Sequence, residues 1–431
     1  MKIIGLDIGT TSICGVCVNA ENGEILKAVT KANNSFIKSD KSYEKIQNPD
    51  EIMETVYSVM EELDVSDASA IGFSGQMHGI VYTDSNGKAV SPLYTWQDER
   101  AAAEYKNGKS YAQYLGCFAG YGLATDFYND KNGLVPENAV SLCTIADYAA
   151  MCLCGLEKPL VHITNAASLG CFDIKSNRFT VDNPRLPEVT VEFKAVGEYK
   201  GIPVCVALGD NQASFIGSVS DAENALINVG TGSQISWLTS TPVESITVEN
   251  RPFDGERLLA AGCALCGGRA FAMLEKLFRE IANLVSETDV KSAYKQIDRL
   301  LENKTETTLS ADCRFCGTRN DPSVRGGIFN ISENNFTAAE LALSVLNGMA
   351  DELYQMYKNG GKKAEKLVCS GNGIRKNAAL RRIVSEMFGC EIRIPLFEEE
   401  ASFGAALAAS VAGGFSENID KACEMIKYRE N

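Results

Sequence analysis

The sequence predicts an α/β fold made of two related halves, and three observations carry that prediction. The chain opens with an apolar strand, a glycine-containing turn and a second apolar strand, and then alternates helices with short buried strands. The segment Ile8-Gly-Thr-Thr-Ser12 has a counterpart, Val229-Gly-Thr-Gly-Ser233, about half the chain further on. The length of 431 residues exceeds what one hydrophobic core serves, because domains run to roughly 150 residues each.

In chain order, Lys2-Ile-Ile-Gly-Leu-Asp-Ile-Gly-Thr-Thr-Ser and Ile13-Cys-Gly-Val-Cys-Val-Asn form a hairpin whose Gly9 permits a tight backbone. Asn19-Ala-Glu-Asn-Gly23 turns into a third strand, Glu24-Ile-Leu-Lys-Ala-Val-Thr. Over residues 51–63, Ile52, Val56, Val59, Met60 and Leu63 recur at helical spacing. Ala70-Ile-Gly-Phe-Ser-Gly75 reads as a short buried strand, and so does Gly201-Ile-Pro-Val-Cys-Val-Ala-Leu-Gly, which runs into Asp210 and a helix over about residues 211–219. The second hairpin spans residues 224–237, so the boundary falls near residues 218–225 and gives domains 1–218 and 219–431. The second half is helix-rich. Residues 270–286 have helical periodicity. Thr337 with Glu340 reads as a capping box for a helix that stops at Asn359-Gly-Gly361. Lys366-Leu-Val-Cys-Ser370 is a strand, Gly371-Asn-Gly373 a turn, residues 377–389 a helix, and the Ala- and Gly-rich residues 401–415 a buried helix.

Apolar residues make up 45% and charged residues 23%, the balance of an ordinary globular protein. Lys and Arg number 41 against 56 Asp and Glu, and the net charge of −15 opposes non-specific binding to nucleic acid or an anionic membrane. It leaves room for a local anion site built from backbone amides. No apolar run reaches the ~18 residues of a membrane span, and Asp7 interrupts any signal-like apolar stretch. Fifteen cysteines at irregular spacing indicate reduced thiols and a cytoplasmic location. The pairs Cys14/Cys17, Cys263/Cys266 and Cys313/Cys316 have CxxC spacing. On a strand Cys14 and Cys17 face opposite ways, one into the core and one away. The other two pairs lie too far apart for a zinc ribbon, so all six read as small buried hydrophobes. With His78 and His162 the only histidines, a His-rich metal site is excluded.

Turns of Gly and hydroxyl residues present backbone N–H groups without side-chain bulk, which suits phosphate oxygens. Asp7, just before the Gly9 turn, is placed either to cap that turn or to hold a Mg²⁺ bridging the phosphates. Asp210, after a buried strand, is either a helix N-cap or a general base for a hydroxyl. Ser74-Gly-Gln-Met-His-Gly79 follows a strand end, a place for a polar ligand. In Tyr94-Thr-Trp-Gln-Asp-Glu-Arg100 an aromatic face sits among planar polar groups, which suits a sugar; the alternatives are core packing for Trp96 and a surface ion pair for Arg100.

Taken together, these segments resemble the FGGY carbohydrate kinases of the actin-like ATPase superfamily. Asp7-Ile-Gly-Thr-Thr-Ser resembles the family's first phosphate loop and Gly230-Thr-Gly-Ser its second. The Ser74–Gly79 loop with Trp96-Gln-Asp-Glu-Arg resembles its sugar signature, and Gly209-Asp-Asn-Gln-Ala-Ser214 the segment of the catalytic Asp. Gly267-Gly-Arg269 resembles a nucleotide-side loop; Ser370-Gly-Asn-Gly373 with Asn377, and then Glu399-Glu-Ala-Ser-Phe-Gly-Ala405, resemble the adenosine end. Gly120-Tyr-Gly-Leu-Ala-Thr125, Thr164-Asn-Ala-Ala-Ser-Leu-Gly170 with Phe172-Asp173, and residues 316–326 look like the branch acting on longer ketoses.

The resemblance implies two actin-like (ribonuclease H-like) domains with a cleft between them. The first carries the sugar site, the first phosphate loop and the catalytic Asp; the second carries the second phosphate loop and the adenosine site. It implies ATP and Mg²⁺ as cofactors, a small-molecule sugar as partner, and a monomer or homodimer. Asp210 would be the base. Gln76, Met77, His78, Trp96, Asp98, Arg100, Asp210 and Asn211 would bind substrate. Gly9, Thr10, Thr11, Ser12, Gly230, Thr231, Gly232, Ser233, Gly268, Gly371, Asn372 and Asn377 would bind nucleotide, and Asp7 the metal. The expected acceptor is a ketose, sedoheptulose ahead of D-xylulose. The rival readings are a non-kinase actin-like ATPase switch, which would share both hairpins without needing Gln76, Met77, His78 and Trp96, and an inactive sugar-binding module, which would need neither Asp7 nor Asp210.

Overall fold

Ile3, Ile4, Leu6 and Ile8 leave the first strand, Lys2–Ile8, no solvent face, and it lies at the centre of a sheet covered on both sides. The computed structural model describes residues 1–285, 289–319, 321–361 and 365–429. They fall into two compact units. One comprises Met1–Asp221, Arg251–Leu258 and Glu399–Lys427; the other comprises Ala222–Asn250, Leu259–Glu398 and the residues from Tyr428 on.

In the first unit the strand order is Ala195–Tyr199, Ile202–Cys205, Ala68–Gly75, Lys2–Ile8, Ser12–Asn19, Ile25–Ala32, with Leu208–Gly209 also paired to Ala68–Gly75. The first hairpin is antiparallel and closes at the Ile8–Ile13 pair, while Ala68–Gly75 runs parallel with Ser74 beside Asp7. The helix Pro49–Leu63, capped by the Asn48 side chain, packs on one face, where Leu63 and Val59 meet Gly15. The helix Glu400–Ala412 packs on the other face at very short range: a Cβ on Gly5 would lie 1.9 Å from the Ser402 carbonyl oxygen, and one on Gly72 would lie 2.0 Å from that of Ala405. Because both faces are covered, Cys14 and Cys17 are both buried, and the expectation that one points away from the core is corrected.

In the second unit the order is Val248–Pro252, Leu258–Ala264, Ser233–Thr239, Ala225–Val229, Lys366–Ser370, Glu391–Arg393. Here too the first strand of a Gly-Thr hairpin pairs antiparallel with its successor and parallel with a later strand, Lys366–Ser370. The repeat read from two short turns is thus a repeat of topology. Each unit has its own apolar core, one around Leu6, Phe73 and Ile145, the other around Ile227, Trp237 and Leu346.

Several local readings need correction. The helix after Gly209 starts at Asp210 itself and ends at Ile216, and the strand before it is broken at residues 206–207. Gly371-Asn-Gly373 leads into a single helical turn, Asn372–Arg375. Thr337 caps the Ala338–Asn359 helix through the Glu340 amide, but the Glu340 carboxylate is drawn to Lys304, leaving half a capping box. Residues 399–405, read as part of an adenosine end, belong to the first unit, because their small side chains let that helix press onto its sheet. Ser286 and Asn320, inside two of the segments read from sequence, lie outside the described residues.

Candidate active site

In the first unit the ends of the central strands converge on two carboxylates. Asp7 accepts a 2.5 Å hydrogen bond from the Ser74 hydroxyl on the neighbouring parallel strand. Burial raises its pKa, against the opposing effect of that bond. Asp210 is the first residue of its helix, not the cap: Gly209 holds the cap position and no side chain caps there. Its carboxylate accepts from the backbone amide and the side chain of Asn211, the next residue. Burial, and next the negative charge of Asp7, push its pKa up to about 7. The segment leading to it is pinned by two residues, since Thr164 Oγ1 accepts from the Gly209 amide and Asn165 Nδ2 donates to the Ala207 carbonyl.

Around this pair the sugar-signature residues assemble. Asn211 Nδ2 lies 2.8 Å from an Asp210 carboxylate oxygen and 3.3 Å from Met77 Sδ. His78 has φ +74°, its Nδ1 lies 2.8 Å from the Ser168 carbonyl oxygen, and its ring stacks on Tyr121 at 4.4 Å. Trp96 remains 47% exposed, a face open to a ligand, and its indole N–H donates to Thr10 Oγ1 at 3.0 Å. Gln76 is buried and accepts from the same hydroxyl at 3.3 Å.

Asp98 and Arg100, also expected to bind substrate, form a buried pair behind Trp96. Both are buried, and Arg100 Nε and Nη2 donate to the two Asp98 oxygens at 2.7 and 3.1 Å. The Lys45 amide donates to the same carboxylate, and the guanidinium lies over the Tyr94 ring. Arg100 Nη1 also donates to Asn129 Oδ1 at 3.0 Å, so the pair ties the Trp96 segment to neighbouring elements.

In the second unit a cavity of about 800 Å³ opens beside the second Gly-Thr turn, within the size range of small-molecule sites. Gly230, Thr231, Gly268, Gly371, Asn372 and Asn377 line it; Gly232 and Ser233 do not. The turn is braced by the Gly268 amide on the Gly230 carbonyl and the Arg269 amide on the Thr231 carbonyl, each at 3.0 Å. Glycine is required at two of these positions. A Cβ on Gly268 would lie 2.4 Å from the Gly230 oxygen, and Gly371, at φ +83°, would bring one within 2.6 Å of the Val229 oxygen. Asn377 lines the cavity while its Oδ1 caps the Ala378–Phe388 helix.

Arg269, the last residue of the Gly267-Gly-Arg269 segment read from sequence, also lines the cavity, whereas sequence reasoning missed Asp298 and Lys376. Lys376 stands next to Asn377, so proximity to a motif was the available signal there.

The chemistry suits a nucleoside triphosphate. Its lining combines close-packed glycine backbone and the cationic side chains of Arg269 and Lys376 with the apolar Phe271, Leu346, Met349 and Leu380. Among the described residues no group of three or more His, Cys, Asp or Glu could hold a metal alone. A single buried carboxylate such as Asp7 matches a hard cation that takes its remaining ligands from phosphate and water.

The protein thus combines a two-unit α/β fold, a glycine-lined cavity of nucleotide size in one unit and a cluster of polar and aromatic side chains about Asp210 and Trp96 in the other. Residues 2–182 match the N-terminal domain, and residues 225–413 the C-terminal domain, of the FGGY family of carbohydrate kinases. The chain belongs to that family; it is a carbohydrate kinase, and the family uses ATP. The human protein named sedoheptulokinase is 24% identical over 94% of this chain and 96% of its own length. A xylulose kinase of Staphylococcus epidermidis is 23% identical over 98% of this chain and 90% of its own. The solved xylulose kinase of Lactobacillus acidophilus superposes with a TM-score of 0.82 at 20% identity, covering 100% of this chain and 93% of that one.

Proposed function

We propose that this kinase transfers the γ-phosphate of MgATP to a primary hydroxyl of a ketose, with sedoheptulose the leading acceptor and D-xylulose the alternative. The observation that carries the acceptor chemistry is Asp210: a buried carboxylate at the start of its helix, with a pKa of about 7, bonded to Asn211, which in turn reaches Met77. A base is most effective when its pKa lies near the working pH. The relative named sedoheptulokinase supports the longer ketose, and the Gly120–Thr125 and Thr164–Gly170 segments were read the same way.

In this reading residues 1–218 hold the sugar and the catalytic base, and residues 219–431 hold the adenosine. Asp210 takes the proton of the acceptor hydroxyl as that oxygen attacks the γ-phosphorus, and ADP leaves. Gln76, Met77, His78 and Asn211 set the hydroxyl's direction, and Trp96 covers the C–H face of the sugar. Asp98 and Arg100 act one step back, by fixing the loop of Trp96. Residues 9–12 in one unit and 230–233 in the other offer amides and hydroxyls to phosphate oxygens. Asp7 is the residue to hold Mg²⁺, which when bound neutralises phosphate charge. All fifteen cysteines are free thiols, which supports a reducing compartment such as the cytoplasm.

The test is kcat/KM for sedoheptulose, D-xylulose, D-ribulose, L-ribulose and glycerol, followed by ADP release at one ATP concentration. A site built to bond a hydroxyl rejects analogues that lack it by up to about 10⁴–10⁵. Sedoheptulose should therefore lead, with the loss for shorter ketoses in kcat/KM. A tenfold lead for D-xylulose would replace the first acceptor by the second, and a lead for glycerol would remove the ketose reading.

A further inference from the structure

One buried side chain joins the two halves of the first unit's site. Gln47 lies on the two-residue strand Ile46–Gln47, which pairs with Leu93–Tyr94 just ahead of Trp96, and it is wholly inaccessible. Its Nε2 donates to the Thr10 carbonyl oxygen at 2.9 Å, and its Oε1 accepts from Gln76 Nε2 at 2.8 Å. The Gln76 Oε1 in turn accepts from Thr10 Oγ1, which accepts from the Trp96 indole. The bonds close a ring through Thr10 in which every donor points the same way round. Each amide is used at both ends, so a flip of Gln47 alone would set donor against donor at Gln76 and oxygen against oxygen at Thr10, and a flip of Gln76 alone would set its oxygen against that of Gln47.

This ring has no slack. Thr10 is the second residue of the Gly-Thr turn, whereas Gln76 and Trp96 belong to the acceptor side. A sugar that reorients Gln76 or settles on Trp96 alters the partners of the Thr10 hydroxyl directly, and Gln47 transmits the same shift to the Thr10 backbone. Its burial leaves it no water with which to exchange these bonds.

We propose that Gln47 is a positioning residue that ties acceptor binding to the geometry of the first phosphate turn, so that the turn is correctly set only when the acceptor loop is in place. This rests on the kinase reading above, but on no particular acceptor. Gln47 itself reaches neither substrate: its two polar ends are consumed by Thr10 and Gln76.

The experiment uses Gln47→Met, which keeps the volume and removes both bonds, together with Gln76→Met and the double variant. The acceptor is whichever of the five compounds the unmodified enzyme phosphorylates best, so the identity of the sugar and the role of Gln47 are judged by different data. Gln47→Met should lower kcat by about 10–100-fold while the acceptor KM changes less than about threefold, because the phosphate turn is misplaced for transfer while no group proposed to touch the acceptor is removed. The double variant should be no slower than the worse single variant by more than about threefold, since both changes break one ring. A kcat within about twofold of the unmodified enzyme, a loss carried by acceptor KM, or effects that multiply would overturn the proposal. If Gln47→Met does not fold, Gln47→Leu is read in its place; failure of both to fold would make Gln47 a part of the fold and end the proposal.

Discussion

At the scale of the residue, the carboxylate of Asp210 sets function against stability. An unburied Asp titrates near 3.9, whereas burial and the Asp7 charge push this one up to about 7. Between those values the folded chain holds a proton that the unfolded chain has lost. The group's contribution to stability is therefore complete below the unfolded value and is lost as pH rises through about 7. In the proposed role of base it works only when deprotonated, so kcat/KM for the acceptor should fall as pH drops below about 7. Asp210→Asn removes both effects at once. It should lower kcat by about 10²–10⁴, and at about pH 8 it should melt above the parent, an advantage that vanishes near pH 4. Paired kinetic and thermal-melting curves across that range check it. A near-parental kcat would leave Asp210 without a catalytic role, and a lower melting temperature at high pH would contradict the electrostatic account.

At the scale of the element, what holds Asp210 in place comes from far along the chain. The Asp210–Ile216 helix and the Glu400–Ala412 helix touch backbone to backbone: a Cβ on Gly404 would lie 1.9 Å from the Ala213 oxygen, and one on Gly217 would lie 1.9 Å from that of Glu400. Gly404→Ala has no flexible side chain to push aside, and overpacking of this kind costs about 1–3 kcal/mol. The prediction is a lowered melting temperature together with a lowered kcat, because the helix that carries Asp210 is displaced, while affinity for an ATP analogue stays near parental. A variant as stable and active as the parent would show that the helices separate freely. This contact also marks the limit of sequence reasoning. The hairpins, the helix over Pro49–Leu63 and the strand Lys366–Ser370 were legible, because apolar periodicity and turn residues are local signals. That residues 399–427 fold with the N-terminal unit was not legible, because a run of Ala, Ser and Gly says only that something comes close, not what. Gln47 was invisible for a related reason: one glutamine in a two-residue strand has no periodicity, and its value lies wholly in partners at positions 10 and 76. Asp98 and Arg100 were visible as polar groups near Trp96, but spacing alone does not reveal that they satisfy each other.

At the scale of the whole molecule, the two cores bear on how the protein unfolds. Each unit has its own sheet, its own helices and its own buried apolar cluster. The residues proposed to face the acceptor, Gln76, His78, Trp96 and Asp210, all lie in the first unit, and the 800 Å³ cavity is lined by the second alone. A ligand stabilises what it binds by RT ln(1 + [L]/Kd), about 2.7 kcal/mol at a hundredfold excess over Kd. Calorimetry should therefore resolve two transitions, one raised mainly by an ATP analogue and the other mainly by the acceptor sugar. The chain's two tryptophans assign them, because Trp237 is buried in the second core and Trp96 is half-exposed in the first unit. In a Trp96→Phe variant the remaining fluorescence reports only the second unit, and its midpoint should follow the nucleotide. A single transition moved equally by either ligand would mean that the two cores melt as one, and that the division of labour between the units ends at the level of stability.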